Sequence, residues 1–93
     1  IGSYGSGNGQ FSNPYGICVD LQSNNIIIAD SGNNRIQIFD SNGNYTKQFG
    51  SQGSGNSQFT TPRGVCVYPQ SNNIIVADSG NNIFFFFLQN KGF

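Results

Sequence analysis

Apolar residues along the chain fall into six short blocks, at 17–19, 26–29, 36–39, 65–67, 74–77 and 83–88, each closed off by Gly, Asn, Ser or Pro. The blocks favour Ile, Val and Phe, which suit a pleated surface, and no stretch of eleven or more residues carries apolar positions at helical spacing. The pattern predicts an all-β chain of short strands joined by turns. In the first half the strands are a over Pro14–Asp20, b over Asn25–Asp30, c over 35–40 and d over 44–49. Ser31-Gly-Asn-Asn34 links b to c with residues that tolerate left-handed dihedrals, and Asn42-Gly43 is the favoured pair for a two-residue hairpin turn between c and d. In the second half a is Pro62–Tyr68, b is Asn73–Asp78 and c is 83–88, with strand d cut off at Phe93.

The two halves are copies. Residues 1–45 laid over 49–93 at a constant offset of 48 give 26 identical pairs out of 45. Gly5-Ser-Gly-Asn8 returns as Gly53-Ser-Gly-Asn56, Phe11 as Phe59, Pro14 as Pro62, Gly16 as Gly64, Cys18 as Cys66, and Ala29-Asp-Ser-Gly-Asn-Asn34 as 77–82. A period of 40 to 50 residues carrying four antiparallel strands is the signature of a β-propeller blade, which buries its faces against its neighbours. The expected organisation is therefore one blade over 1–48, with the end of a preceding d strand at 1–4, and a second over 49–93. Two blades cannot close a ring, so the chain is a partial propeller.

The residues also point to a family. Phe11-x-x-Pro14-x-Gly16-Ile-x-Val-Asp20, then Asn25-Ile-x-Ile-Ala-Asp30-Ser-x-Asn-Asn-Arg35-Ile-Gln-Ile-Phe39-Asp, then Gly43-x-Tyr and Phe49-Gly50, resemble the NHL repeat over essentially the whole chain. The second copy departs in strand c, where Ile83-Phe-Phe-Phe-Phe-Leu88 replaces Arg35-Ile-Gln-Ile-Phe-Asp40. The resemblance implies six-bladed propellers that serve mostly as protein-binding or RNA-binding platforms, with a few metal-dependent lyase and lactonase relatives. This chain would then be one third of a ring. In a parent resembling the tripartite-motif ubiquitin ligases, it would belong to the substrate-recognition propeller.

Composition alters this picture in two ways. Asn, Gly, Ser and Gln supply 46 of the 93 residues, a bias seen in disordered segments, but the strand periodicity overrides it. Charge narrows the function. Four Lys and Arg balance four Asp, with no Glu and no His. The chain therefore holds no His-based relay or His-ligated zinc, and neither a catalytic set nor a metal or cofactor site is expected. Scattered cations disfavour RNA as the main partner, and there is neither a polybasic membrane patch nor an apolar run of the 18–20 residues a spanning helix needs. The reading is a non-catalytic scaffold that binds protein, with an RNA platform or an enzyme fragment as the alternatives.

In a propeller the d-to-a connection and the b-to-c hairpin share one face. Tyr15 and Arg63, at the heads of the two a strands, should therefore lie with Ser31, Asn33, Asn34, Ser79, Asn81 and Asn82 around the central opening. Tyr and Arg are the types most enriched at interface hot spots, and this position differs between copies whose flanks do not. Asp30 and Asp78 stand before Ser-Gly-Asn-Asn, where a carboxylate can accept hydrogen bonds from the amides of its own turn, so they are expected as structural turn carboxylates. Asp20 has no repeat counterpart, since Tyr68 takes its place, and Asp40-Ser-Asn42-Gly-Asn44 lacks the Gly and Glu of a calcium loop. Cys18 and Cys66, on neighbouring blades and too far apart for a disulfide, should be small buried thiols, which points to a reducing compartment such as the cytoplasm. The Gly-rich segments 2–9 and 50–57 lack the Lys and the strand-to-helix setting of a phosphate loop and are expected to be the mobile d-to-a connections, anchored by Phe11 and Phe59.

The run 83–88 is apolar on both sides of its strand and is an aggregation hazard where exposed. Either it is covered by blades of other chains or the chain is cut from a longer propeller. Correspondingly, the missing blades come either from a homotrimer, three copies of two blades making six, or from the rest of a longer chain.

Overall fold

Proline heads the first strand of each antiparallel sheet, and left-handed Asn turns that strand into the second and the second into the third. A computed structural model describes residues 2–87. The first sheet is β1 (Pro14–Asp20), β2 (Asn25–Asp30), β3 (Arg35–Phe39) and β4 (Tyr45–Phe49), antiparallel and adjacent in chain order. A two-stranded parallel pair follows, β5 (Ser51–Gln52) with β6 (Gln58–Phe59). The second sheet is β7 (Pro62–Tyr68), β8 (Asn73–Asp78) and β9 (Ile83–Phe87). The fold is thus all-β, built of antiparallel propeller blades, as the period predicts. Leu88, any further strand before Phe93, residue 1 and the side chains of 83–87 lie outside the described residues. By the period, residues 2–4 correspond to 50–52, and Tyr4 makes a parallel bridge to Phe11 much as β5 pairs with β6.

Asn24 (φ 63°) and Asn72 (φ 62°) turn β1 into β2 and β7 into β8, each returning its amide to the strand end, at Asp20 O (2.6 Å) and Tyr68 O (2.7 Å). Ser31–Asn33 forms one turn of 3-10 helix, closed by Asn34 at φ 53°. The β3–β4 hairpin is longer than the two-residue turn expected. Gly43 N donates to Asp40 O (3.0 Å), Asp40 N donates to Asn44 O (2.9 Å), and only Gly43 (φ 88°) is left-handed. Asp40 is the reason: its Oδ1 accepts from the amides of Asn42 and Asn44, both at 2.9 Å, which folds the chain into a wider loop.

The hydrophobic core lies between the two sheets. Cross-strand register puts Cys18, Ile27 and Ile38 on one face of the first sheet with Ala29 and Ile36, while Ile17, Val19, Ile26 and Ile28 occupy the other. The first set, with Phe49, packs against Phe59, Ile74 and Val76, supported by Val65 and Val67. Phe59 is fully buried and 6.3 Å from the Phe49 ring. Covering one such side chain contributes about 1.5–3 kcal/mol. The seam is also tied by polar contacts. Ser31 Oγ donates to Pro62 O, and Thr61 N donates to Asn34 Oδ1 at 2.8 Å.

β3 is buried on both sides, which strand alternation alone would not show. Arg35 and Gln37 face the Gly-rich segment, and Arg35 is its clamp. Its Nε pairs with Asp30 Oδ2 at 2.8 Å, Nη1 donates to Ser6 O (2.9 Å) and to Gln48 Oε1 (2.9 Å), and Nη2 donates to Gly7 O (2.9 Å) and Gln10 O (2.6 Å). Gln37 Nε2 adds Gln10 O (2.7 Å) and Asp30 Oδ2 (3.2 Å). The segment expected to be a loose connection is therefore hydrogen-bonded in place along its length.

Removing one member of a buried ion pair leaves the other charge uncompensated, at a cost of about 3–5 kcal/mol. Arg35→Met, which keeps the apolar stem, should lower the urea unfolding free energy by that amount, and a loss below about 1 kcal/mol would show that the clamp is dispensable. A second outcome follows from the hairpin. Hydrogen bonds, first from the Asn44 amide, hold the exposed Asp40 carboxyl below its ordinary value of 3.8. A lowered pKa makes the contribution complete above 3.8 and lost as pH falls through the lowered value. The amide proton shifts of Asn42 and Asn44 should move together below pH 3.8, and Asp40→Asn should abolish that titration.

Candidate functional site

The heads of β1 and β7 begin alike, Pro14-Tyr15-Gly16 and Pro62-Arg63-Gly64, and each carries a register shift against its neighbour just after the proline. Such irregularities re-aim side chains. Here they leave Tyr15 62% exposed and Arg63 exposed, with the guanidinium 4.7 Å from the Tyr15 ring centroid. Gly16 permits this approach, because a Cβ there would run into the carbonyl of Arg63. The result is a cation stacked on an aromatic face across the seam between blades, a contact worth about 0.5–1 kcal/mol at an exposed site.

The polar turn residues predicted for the same rim are largely engaged inward. Ser31 is buried and donates to Pro62 O. Asn33 Nδ2 donates to Gly5 O (2.8 Å) and to Asp30 Oδ2 (2.9 Å), and Asn34 accepts from Thr61 N. In the second unit Asn81 Nδ2 repeats the pattern with Gly53 O (2.9 Å) and Asp78 Oδ2 (2.7 Å). Ser79 is exposed and donates to Thr61 O at 3.0 Å, and Asn82 is exposed at φ 56°. The structure thus brings Tyr15 and Arg63 together with open side chains, and assigns Asn33, Asn34 and Asn81 to holding backbone.

Asp30 and Asp78 are both buried. Their backbone donors come from the d-to-a connection rather than from their own turn as expected: Ser12 N reaches Asp30 Oδ1 at 2.8 Å, and Thr60 N reaches both oxygens of Asp78 at 3.0 Å. The chemistry that sequence reasoning misses is that of Arg35 and Gln37. Its signal is the register, which sets Arg35 directly opposite Asp30 across the four-residue link. At the equivalent place in the second sheet, Asp78 stands opposite Ile83.

The cysteines diverge from expectation. Cys18 is half-buried, and burial, with smaller effects from Cys66 and Asp20, pushes its thiol up to about 11, so it is an unreactive filler of the seam. Cys66 is exposed rather than buried, because among the described residues no second sheet covers its face. The two are free thiols. Among the described residues no group of three or more His, Cys, Asp or Glu is placed to hold a metal ion.

Comparison with known proteins agrees with this architecture. A family model for the NHL repeat matches residues 11–39 and 59–82, more than half of the chain. The chain is 53% identical over 45 residues to the protein lin-41 of Caenorhabditis elegans, covering 48% of this chain and 4% of lin-41. It is 50% identical over 50 residues to the protein brain tumor of Drosophila melanogaster, covering 54% of this chain and 5% of that protein. The B-box type zinc finger protein ncl-1 of C. elegans is 42% identical over 48 residues, covering 52% and 6%. The chain therefore spans only about a twentieth of the relatives it matches. With two tandem matches to the repeat and the antiparallel blades that the repeat builds, the chain belongs to the NHL repeat family.

Proposed function

We propose that the chain is part of a non-catalytic binding scaffold, and that it holds a protein partner on the face where the heads of β1 and β7 meet. The observation that carries this reading is the exposed Tyr15–Arg63 stack. Around it the turn polar groups are used internally, so an incoming chain meets one large aromatic surface and one cation held in a fixed orientation. Ser79 and Asn82, exposed at the edge of the same face, supply further polar contacts. In a parent built like the tripartite-motif ubiquitin ligases, this face would select the substrate.

The same pair could stack on a base, which makes RNA the second reading. The neutral chain works against it, since phosphate binding draws on clustered cations and raises salt sensitivity.

Selection from a random library tests this face without an identified partner. Displayed peptides selected against the chain should lose at least tenfold in affinity on Tyr15→Ala and on Arg63→Ala, with unfolding free energies lowered by no more than the stack's own contribution of about 0.5–1 kcal/mol. Peptide affinities indifferent to both substitutions would overturn the reading. Single-stranded oligonucleotides should bind weakly, and tight binding that falls steeply between 50 and 200 mM salt, on the order of what several phosphate contacts give, would favour RNA instead.

A further inference from the structure

We propose that the partner segment held at the heads of β1 and β7 is acidic: an Asp or Glu side chain takes the edge of the Arg63 guanidinium while a neighbouring apolar side chain lies on Tyr15. This rests on the protein-binding reading above and names the chemistry which that face selects. The cation is placed by the backbone. The register shifts after Pro14 and Pro62 fall at equivalent points, and the absence of a Cβ at Gly16 lets the carbonyl of Arg63 come in against it, which sets the guanidinium over the Tyr15 ring. Stacking engages the flat face of a guanidinium and leaves the N–H groups along its edge available. Among the described residues Arg63 donates no side-chain hydrogen bond and enters no ion pair, whereas every nitrogen of the Arg35 guanidinium has an acceptor.

The charges of the chain are sorted by end. Cross-strand register places Pro14, Asp30, Arg35 and Phe49 at one end of the first sheet, and Asp20, Asn25, Phe39 and Tyr45 at the other. Asp20 therefore closes β1 about 20 Å from its head, at the usual rise per strand residue, and Asp40 follows β3 at that same far end. Asp30 and Asp78 stand at the near end, but both are buried and accept hydrogen bonds from the d-to-a connection and the following turn. No carboxylate of the described residues is exposed beside Arg63. A chain of zero net charge thus presents a local positive spot at its blade heads, and the complementary anion has to come from the partner.

The extent of that spot selects the kind of anion. Phosphorylated peptides are gripped by clustered arginines, and nucleic-acid strands by cations spread along the backbone. Among the described residues the other cations are engaged or distant. Arg35 is buried and committed to Asp30, to Gln48 and to loop carbonyls. Lys47 has a contact of its own and lies on β4, three strands across the sheet from β1, which is about 14 Å at the usual strand spacing. A single planar fork of N–H donors matches a single planar carboxylate through two parallel hydrogen bonds. An exposed ion pair by itself contributes little, so the acid selects the partner and the Tyr15 ring supplies the contact area next to it. With the guanidinium already held on the ring, binding has less side-chain freedom left to remove.

The experiment reads the sequences and affinities of random displayed peptides selected on the whole chain. Selected peptides should share an Asp or Glu beside an apolar residue, and remaking that acid as its amide should weaken binding at least fivefold. Arg63→Gln should weaken the acidic peptides as much and make them indifferent to the amide exchange, the coupling expected if the guanidinium reads the carboxylate. A second selection on Arg63→Glu should return Lys or Arg at the shared position. Each variant alters an exposed side chain and should keep the circular dichroism spectrum of the wild type. Peptides that need Tyr15 and Arg63 but share no acid, or bind equally well as the amide, overturn the carboxylate and leave the protein-binding face standing. Peptides indifferent to both side chains remove that face and this proposal together. Phosphoserine binding at least tenfold tighter than the acid it replaces, or single-stranded RNA displacing the peptides at physiological salt, overturns the proposal in favour of phosphate.

Discussion

The buried carboxylate at the end of each b strand is the constraint on which the blades depend. Asp30 has no exposure to water and must satisfy its charge internally. It does so by gathering Ser12 from the incoming connection, Asn33 from the 3-10 turn, and Arg35 and Gln37 from β3. Four donors from three chain segments meet at two oxygens. Arg35 then directs its remaining donors to Gln48 on β4 and to carbonyls of the Gly-rich segment and its exit, which has few side chains of its own with which to pack. A glycine-rich loop has high conformational entropy to lose, and hydrogen bonds donated by a fixed guanidinium to the loop carbonyls offset that loss without needing bulk.

This explains how a chain that is half Asn, Gly, Ser and Gln folds as a repeat protein rather than as a disordered tract. Among the described residues, five of the seven non-glycine residues with positive φ are Asn, at 13, 24, 34, 72 and 82. Asn tolerates that conformation better than most side chains. Other Asn side chains, at 33 and 81, carry donors to backbone carbonyls. The composition thus follows from making many tight turns in short blades, with the apolar residues concentrated on the faces of the strands.

Most of the fold is legible in the chain because its cues are local. Proline heads both a strands, Asn-Asn closes each a-to-b turn, and the period of 48 doubles every signal. What escapes depends on contacts distant in sequence or on competition within a turn. Arg35 lies 25 to 29 residues from the carbonyls it clamps, and alternation along β3 says only that Arg35 and Gln37 share a side. The β3–β4 hairpin departs from expectation because Asn42-Gly43 favours a two-residue turn, while the Asp40 carboxylate favours a wider one by collecting two amides. The repeat makes the cysteines equivalent, yet burial in a blade depends on its neighbour as well as on its own strand. At the rim, Tyr15 and Arg63 stand out because they interrupt an otherwise constant Pro-x-Gly, whereas the inward engagement of Asn33, Asn34 and Asn81 emerges only in three dimensions.

Differences between the copies become informative once the constraint is known. The second sheet keeps the buried carboxylate as Asp78 but has Ile83 at the position of Arg35, so no guanidinium reaches over its Gly-rich segment from that site. Asp78 takes Thr60 N on both oxygens, where Asp30 takes Ser12 N on one, while Asn81 repeats the contact that Asn33 makes in the first copy. Thr60, where the first copy has Ser12, also donates its hydroxyl to Gly53 O at 3.1 Å, while Gln58 Oε1 accepts from Gly55 N at 3.0 Å just as Gln10 Oε1 accepts from Gly7 N at 2.9 Å. The segment is thereby tied at its root and through its own turn, while its tip loses the external clamp. Two substitutions far apart in sequence, Ser12 to Thr60 and Arg35 to Ile83, act on the same loop: the amide ties are common to both copies, and the Thr60 hydroxyl adds a tie at the loop's root where the guanidinium is missing, so the loop's path is held by a different set of donors in each copy.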